Sequence, residues 1–270
     1  MKIQNKVMVV TGGGNGIGRE LVLNLLSRGA RVAAVDINTS ALAETGELSG
    51  AKKDALTTHT VNITERKAVE ALADHIIAQH GTVDGLINCA GVIQPFVRLK
   101  DLEYEAIERV MNVNFFGTLH MIKVFLPHLL TRPEAHITNI SSMGGFMPFP
   151  GQTIYGASKA AVKTLTECLQ SELMNTNVRV TVVFPGAVGT NIMSNSGVAM
   201  CEKMASAQQT LQRLMLTPSK AAQIIVDGIE RDRHRILVGI DSVFMDFMYR
   251  LNPRRATRFI FHQMKSMLPA

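Results

Sequence analysis

With 270 residues and 46% hydrophobic content, the chain is long enough and apolar enough for one large globular domain with a substantial core. Its three cysteines, Cys89, Cys168 and Cys201, are odd in number and lack metal-ligand spacing, which argues against a disulfide scaffold or a zinc site and for a reducing compartment. The net charge of +6 is uneven: from Arg231 onward eight Lys/Arg stand against three Asp, a balance of +5, so the first 230 residues are nearly neutral.

The N-terminal run VMVV before Thr11 is too short for a signal peptide, and no uninterrupted apolar run approaches the roughly eighteen residues that span a bilayer. The expectation is a cytoplasmic protein. In chain order, KVMVVT (6–11), RVAAVDI (31–37), LTTHTVNI (56–63), VDGLINCAG (83–91), HITNISS (136–142), VRVTVVFPG (178–186) and RILVG (235–239) read as seven strands. They are rich in Val and Ile and alternate only weakly, as in a parallel sheet buried on both faces. Helical segments are expected at about 16–29, 64–80, 101–130, 155–175 and 219–233, with helix starts at Asn38-Thr39-Ser40, Thr64-Glu65 and Thr217-Pro218-Ser219. This alternation predicts an α/β doubly wound Rossmann fold in one domain, a seven-stranded parallel sheet with helices on both faces. Two regions break the pattern: the long connection 187–216, of a length typical of lids, and the basic, apolar tail 241–270.

Between the first strand and first helix runs TGGGNGIGRE (11–20). Its glycines Gly12, Gly16 and Gly18 allow a tight turn and close backbone approach, and the helix N-terminus that follows offers free N–H groups to a pyrophosphate. No Gly-Lys-Ser/Thr follows, so it is not a Walker-type loop. Asp36 ends the second strand, where a carboxylate accepts hydrogen bonds from the adenosine ribose hydroxyls and repels a 2′-phosphate. With Ile37 next to it and Asn15 uncharged in the turn, NAD is expected over NADP, Arg19 being the nearest cation against that reading.

Near the middle of the chain Tyr155 and Lys159 lie four apart in TIYGASKAAVKTL, a spacing that places them on one helical face without saying what they do. Their company is more informative. TGGGNGIG, NCAG (88–91), VNFFG (113–117), ISS (140–142), YGASK (155–159) and PGAVGT (185–190) occur in the order found in short-chain dehydrogenases/reductases, which the chain resembles over roughly residues 3–240. The resemblance implies hydride transfer between a nicotinamide cofactor and an alcohol or carbonyl. Tyr155 would be the general acid/base. Lys159 would hold the nicotinamide ribose and lower the tyrosine pKa, Ser142 would bond the substrate oxygen, and Asn114 would position a water that extends the proton path. Ser142 lies at the family's spacing of 13 from the tyrosine, Ser141 being the alternative at 14. The cofactor residues implied are Gly12, Asn15, Gly16, Ile17, Gly18, Asp36, Ile37, Asn62, Ile63, Asn88, Ala90, Gly91, Tyr155, Lys159, Pro185, Gly186, Val188 and Thr190. Two positions depart from the family: Asn62 stands where Asp is usual, leaving an uncharged acceptor for the adenine amino group, and Cys89 replaces a common Asn.

The resemblance does not carry the substrate. Met143, Phe149, Ile192 and Met193, with Val97, Met200 and Met204, are expected around the nicotinamide, and no Arg or Lys occurs in 143–152 or 187–202. A lipophilic secondary alcohol or ketone, steroid-like, retinoid-like or long-chain, is therefore expected. The alternatives are an NADPH-dependent carbonyl or 3-oxoacyl reductase, for which the basic surface would dock an acidic carrier, and a catalytically silent cofactor-binding scaffold. Relatives suggest a homodimer or homotetramer built on helices 101–130 and 155–175. Nucleic acid is not expected. The tail RLNPRRATRFIFHQMKSML (250–268) has three readings: an anionic membrane surface, a cover over the substrate mouth, or a subunit contact.

Overall fold

The computed structural model describes residues 1–198, 215–265 and 268. The seven expected strands are all present: β1 (Val7–Thr11), β2 (Arg31–Asp36), β3 (Leu56–Thr60), β4 (Gly85–Asn88), β5 (Ala135–Ile140), β6 (Val178–Pro185) and β7 (Arg235–Val238). Every pairing is parallel and the order is β3-β2-β1-β4-β5-β6-β7. The chain leaves the sheet centre in both directions from β1 and β4, so the carboxyl ends of these strands open a crevice where the winding reverses.

Alternate residues of each strand feed two separate cores. Met8, Val10, Val32, Ala34 and Val183 face α1 (Gly16–Ser27) and the helix Pro218–Glu230. Val9, Ala33, Val35, Leu86 and Ile137 face the opposite layer, formed by the helices Arg66–His80, Thr118–Leu130 and Thr153–Glu172. Both sides of β1 are fully buried, which is why its five residues carry no polar alternation.

Numbered along the chain, the remaining helices are α2 (Thr39–Leu48), α3 (Arg66–His80), α4 (Tyr104–Met111), α5 (Thr118–Leu130), α6 (Thr153–Glu172), α7 (Ile192–Asn195), α8 (Pro218–Glu230), α9 (Ile240–Leu251) and α10 (Pro253–Met264). α2 was signalled only by its start; Asn38 caps it by accepting from the Ala41 N–H. The expected helix 101–130 is one helical stretch in which Asn112–Gly117 winds as a π-turn between α4 and α5. By length and mean hydropathy, 1.2, residues Tyr104–Leu130 would pass for a membrane span. Met121, Ile122, Phe125 and Leu129 are instead buried against the sheet.

The tail, for which the sequence suggested surroundings but no structure, folds into α9 and α10. Met245, Met248 and Tyr249 of α9 and Ala256, Ile260 and Met264 of α10 join one cluster with Met143, Phe146, Met147 and Phe149. The segment packs against the chain's own 143–149 loop, a contact that none of its three readings named.

Phe125 is among the largest fully buried side chains. Phe125→Ala should lower unfolding free energy by about 3–5 kcal/mol through lost transfer energy and the cavity left behind, read from the denaturant midpoint at unchanged m-value.

Candidate active site

The carboxyl ends of the strands surround a cleft of about 780 Å³. Its first wall is the turn after β1. Gly12 and Gly16 take the left-handed conformation, with φ of 70° and 52°. A Cβ on Gly18 would collide with the Gly12 carbonyl oxygen, so only glycine lets the first turn of α1 close onto the loop. Asn15 caps α1, its side chain accepting from Gly16 N–H. Thr11 at the end of β1 accepts from the N–H groups of Cys89 (3.0 Å) and Ala90 (3.1 Å), fixing the next wall of the cleft.

Asp36 faces the cleft with its carboxylate pinned: Oδ2 accepts from Gly14 N–H at 3.0 Å and Oδ1 from Asn38 N–H at 3.0 Å. Arg19, the cation that would counter it, is engaged elsewhere. Its guanidinium donates to the Gly14 carbonyl at 2.6 Å and pairs with Glu44 at 2.6 Å, and this hydrogen bond holds the Glu44 carboxyl below its usual range. Ile37, beside Asp36, is 67% exposed and uncharged.

At the other end, Ser142, Tyr155 and Lys159 converge on the same cleft. Ser142 follows β5 and caps a single 3₁₀ turn, accepting from Gly144 N–H at 3.0 Å. Ser141 also lines the cleft, but its buried hydroxyl is engaged, donating to the Lys159 carbonyl at 2.7 Å. Lys159 is 4% exposed, and its Nζ donates to the Ile140 carbonyl at 3.0 Å and sits 6.0 Å from the centre of the Tyr155 ring. Burial pulls the ammonium pKa down to about 8. Burial also pushes the Tyr155 phenol up, and a hydrogen bond with Ser142 offsets only part of this. The lowered tyrosine implied by the sequence is thus not a property of the protein groups alone. Cys89, at the same end, is pushed up to about 12 by burial, so it is no thiolate at neutral pH.

Most expected cofactor residues line this cleft: Gly12, Asn15, Gly16, Ile17, Gly18, Asp36, Ile37, Asn62, Ile63, Ala90, Gly91, Tyr155, Lys159, Pro185, Gly186, Val188 and Thr190. Several expectations need correction. Asn88 does not line it; its amide donates to Asn139, whose own amide reaches Thr166, a buried chain between strands and α6. Asn62 lines the cleft, but its Oδ1 already accepts from the Thr64 N–H and hydroxyl. Asn114 is fully buried behind the wall, pairing with both backbone groups of Val92 and donating to the Ser158 hydroxyl. It comes near the site at Gly91, where an added Cβ would lie 3.2 Å from both Asn114 Oδ1 and Lys159 Nζ. Of the four residues expected around the substrate, only Ile192 lines the cleft. Met143 and Phe149 pack against the tail helices; Met193 and Val97 are not on the lining, and Met200 and Met204 lie outside the described residues.

The sequence missed three positions. Arg109 lines the cleft from α4 and donates to the Ser196 carbonyl at 2.7 Å, while Ser196 accepts from Ile93 N–H at 3.0 Å, tying the loop after β6 to the loop after β4. Asp241 accepts from Ala187 N–H at 2.6 Å and so holds the start of that same loop. Gln94, fully buried, accepts through Oε1 from the N–H groups of Ile154 (2.7 Å) and Tyr155 (3.0 Å). It serves as the N-cap of α6 from a distant loop, where the local cap residue Gln152 makes no capping bond. Only a fold that brings residues 60 apart together could reveal it.

The sequence matches the family model for short chain dehydrogenase over residues 6–225. The chain is a short-chain dehydrogenase/reductase. It is 36% identical to the putative oxidoreductase SadH of Mycobacterium tuberculosis over 252 residues, covering 92% of this chain and 91% of that one. It is also similar to a short-chain dehydrogenase/reductase of Burkholderia phymatum solved with NAD, at 29% identity and a TM-score of 0.79, covering 88% of this chain and 90% of that one. A short-chain dehydrogenase of Burkholderia cenocepacia solved with NADP has 25% identity and the same TM-score, 0.79, with 96% and 99% covered. The protein is accordingly an oxidoreductase of CH–OH or carbonyl groups that uses a nicotinamide dinucleotide.

Gln94→Leu leaves two buried N–H donors of α6 unpaired and should cost about 1–3 kcal/mol of stability. It should also lower kcat by misplacing Tyr155, with dinucleotide affinity unchanged. Denaturant melts, steady-state kinetics and cofactor titration would show these three effects.

Proposed function

We propose that the protein is an NAD-dependent oxidoreductase of a lipophilic secondary alcohol or ketone, with Tyr155 as general acid/base. The observation that carries this reading is the polarity of one continuous cleft: a fixed carboxylate, Asp36, at one end, and Ser142, Tyr155 and Lys159 gathered at the other.

The residues fit a dinucleotide. The glycine cradle of Gly12, Gly16 and Gly18, which a Cβ would fill, and the N-terminus of α1 suit the pyrophosphate. Asp36 suits the ribose hydroxyls and disfavours a 2′-phosphate, and Arg19, held by Glu44, does not answer that charge. When bound, NAD supplies the hydride acceptor and NADH the donor.

The protein groups handle the proton. In oxidation the Tyr155 phenolate takes the hydroxyl proton of the alcohol; in reduction the neutral phenol returns it to the developing alkoxide, and Ser142 donates a second hydrogen bond to that oxygen. Lys159 favours the phenolate by its charge. Because its amine is itself only partly protonated above pH 8, the pair is sensitive to pH in the alkaline range. Asn114 acts from behind the wall, holding the Gly91–Val92 segment against Lys159.

Support for a lipophilic substrate comes from what surrounds the catalytic end. Val92, Ile140, Pro185, Val188 and Ile192 line it, and among the described residues the cations on the lining are Lys159 and Arg109, the latter engaged with backbone carbonyls. Neither is placed to pair with a substrate carboxylate. We further propose that the protein works in the cytoplasm as a homo-oligomer.

Tyr155→Phe removes the proton carrier and should abolish turnover while leaving NAD binding intact, as cofactor fluorescence titration would show. In the unmodified enzyme, alcohol oxidation should accelerate as pH rises towards the raised tyrosine pKa, whereas ketone reduction, which needs the protonated phenol, should slow. Asp36→Ala should shift the ratio of kcat/KM values towards NADP by about tenfold or more, one lost charge repulsion being of order 1–2 kcal/mol. Comparable turnover of a small hydroxy acid and a long-chain secondary alcohol would refute the substrate reading.

A further inference from the structure

We propose that the outward faces of α9 and α10 form a docking surface for an anionic lipid bilayer. On α9, Ile240 (90% exposed), Val243, Phe244, Phe247 (62%) and Leu251 (69%) are all exposed. Their spacing puts them on one face of the helix. The opposite face is occupied inside the protein: Ser242 donates to the Phe184 carbonyl, Asp246 pairs with Arg235 and Arg250, and Met245 and Met248 join the apolar cluster.

α10 turns Ala256, Ile260 and Met264 inward to that cluster. At 100° per residue, Arg254, Arg258 and Lys265 fall within about 60° of the directly opposite side, and all three are exposed. Arg255 and His262 flank them, also exposed. The inner faces of both helices meet in one cluster, so the apolar stripe of α9 and the cationic stripe of α10 look away from it together.

Charge selects the occupant. The two acidic residues of this segment are engaged by the protein itself: Asp241, partly exposed, accepts from the Ala187 N–H, and Asp246 is 9% exposed between two arginines. The charges carried on the outward faces of the two helices are thus cationic, beside the apolar stripe. In a twofold contact with a second copy it would meet its own arginines with no carboxylate to answer them. Aromatic and aliphatic side chains to sink below headgroups, beside cations to meet anionic phosphates, are what an interfacial helix requires. This inference concerns docking alone and stands whichever alcohol the enzyme oxidises.

The test is co-sedimentation of the full-length protein with vesicles of phosphatidylcholine alone or of phosphatidylcholine with phosphatidylglycerol, at low and high salt. Binding is expected to the anionic vesicles and to weaken with salt. The double variant R254Q/R258Q should bind about thirtyfold more weakly, and F244S/F247S at least about tenfold more weakly. All four positions are exposed, so melting temperatures should not change; if one double variant fails to fold, the other decides. Absence of binding to the anionic vesicles overturns the proposal, as does binding that ignores headgroup charge and both variants. So does F244S/F247S dissociating an oligomer, by light scattering, with vesicle binding intact, because the stripe would then be a protein contact.

Discussion

The structure turns on one buried cation. Lys159 is 4% exposed, and no carboxylate pairs with it among the described residues. A charge in that position is costly unless its donors are satisfied, and here the protein offers only the Ile140 carbonyl, at the point where β5 ends. The amine is therefore drawn towards neutrality, to a pKa of about 8. The same burial raises the phenol of Tyr155. The amine is thus held near the point where a change of nearby charge moves a proton, whereas the phenol needs added positive charge beside it to come down towards the range that general acid–base catalysis requires.

Much of the surrounding architecture keeps this cation in place. Ser141 hooks the Lys159 carbonyl, Gln94 caps the helix one turn earlier, and the absence of a side chain at Gly91 lets Asn114 and Lys159 close in on the same segment. The π-turn at Asn112–Gly117 is where Asn114 leaves the regular helical path to pair with Val92. At the far end of the cleft the logic is inverted. Asp36 is an anion held by backbone N–H groups, and its natural neutraliser, Arg19, is diverted to Glu44. Opposite charges at the two ends give the cleft a direction before anything binds.

What the sequence disclosed follows from how far each signal reaches. The seven strands were legible because a parallel sheet buried on both faces demands continuous Val/Ile runs, and the glycine turn because only glycine survives the contact between positions 18 and 12. Ser142, Tyr155 and Lys159 were legible as a motif, and the fold brings them to one cleft. α2 was under-read because its apolar face is short, resting on Ala41 and Leu42. The tail helices were unread because half of their apolar residues face outward, which blurs the periodicity that marks a helix. Asn88 and Met143 are expected beside ligands and instead contact Asn139 and the tail helices, since nothing local distinguishes a buried amide or methionine from one in a pocket. Gln94, Arg109 and Asp241 act across 16 to 87 residues of sequence, distances at which spacing says nothing.

The tail is joined to the active site rather than appended to it. Arg235 leaves β7 with its guanidinium 4.3 Å from the centre of the Phe184 ring and 5.7 Å from that of Phe146, and it binds Asp246 of α9. Stacked on aromatic rings and half withdrawn from water, that ion pair is screened less than a surface one and fixes the helix by direction as well as charge. Phe146 belongs to the segment that begins with Ser142 and its 3₁₀ turn. One arginine therefore connects the edge strand, the tail helix and the serine loop.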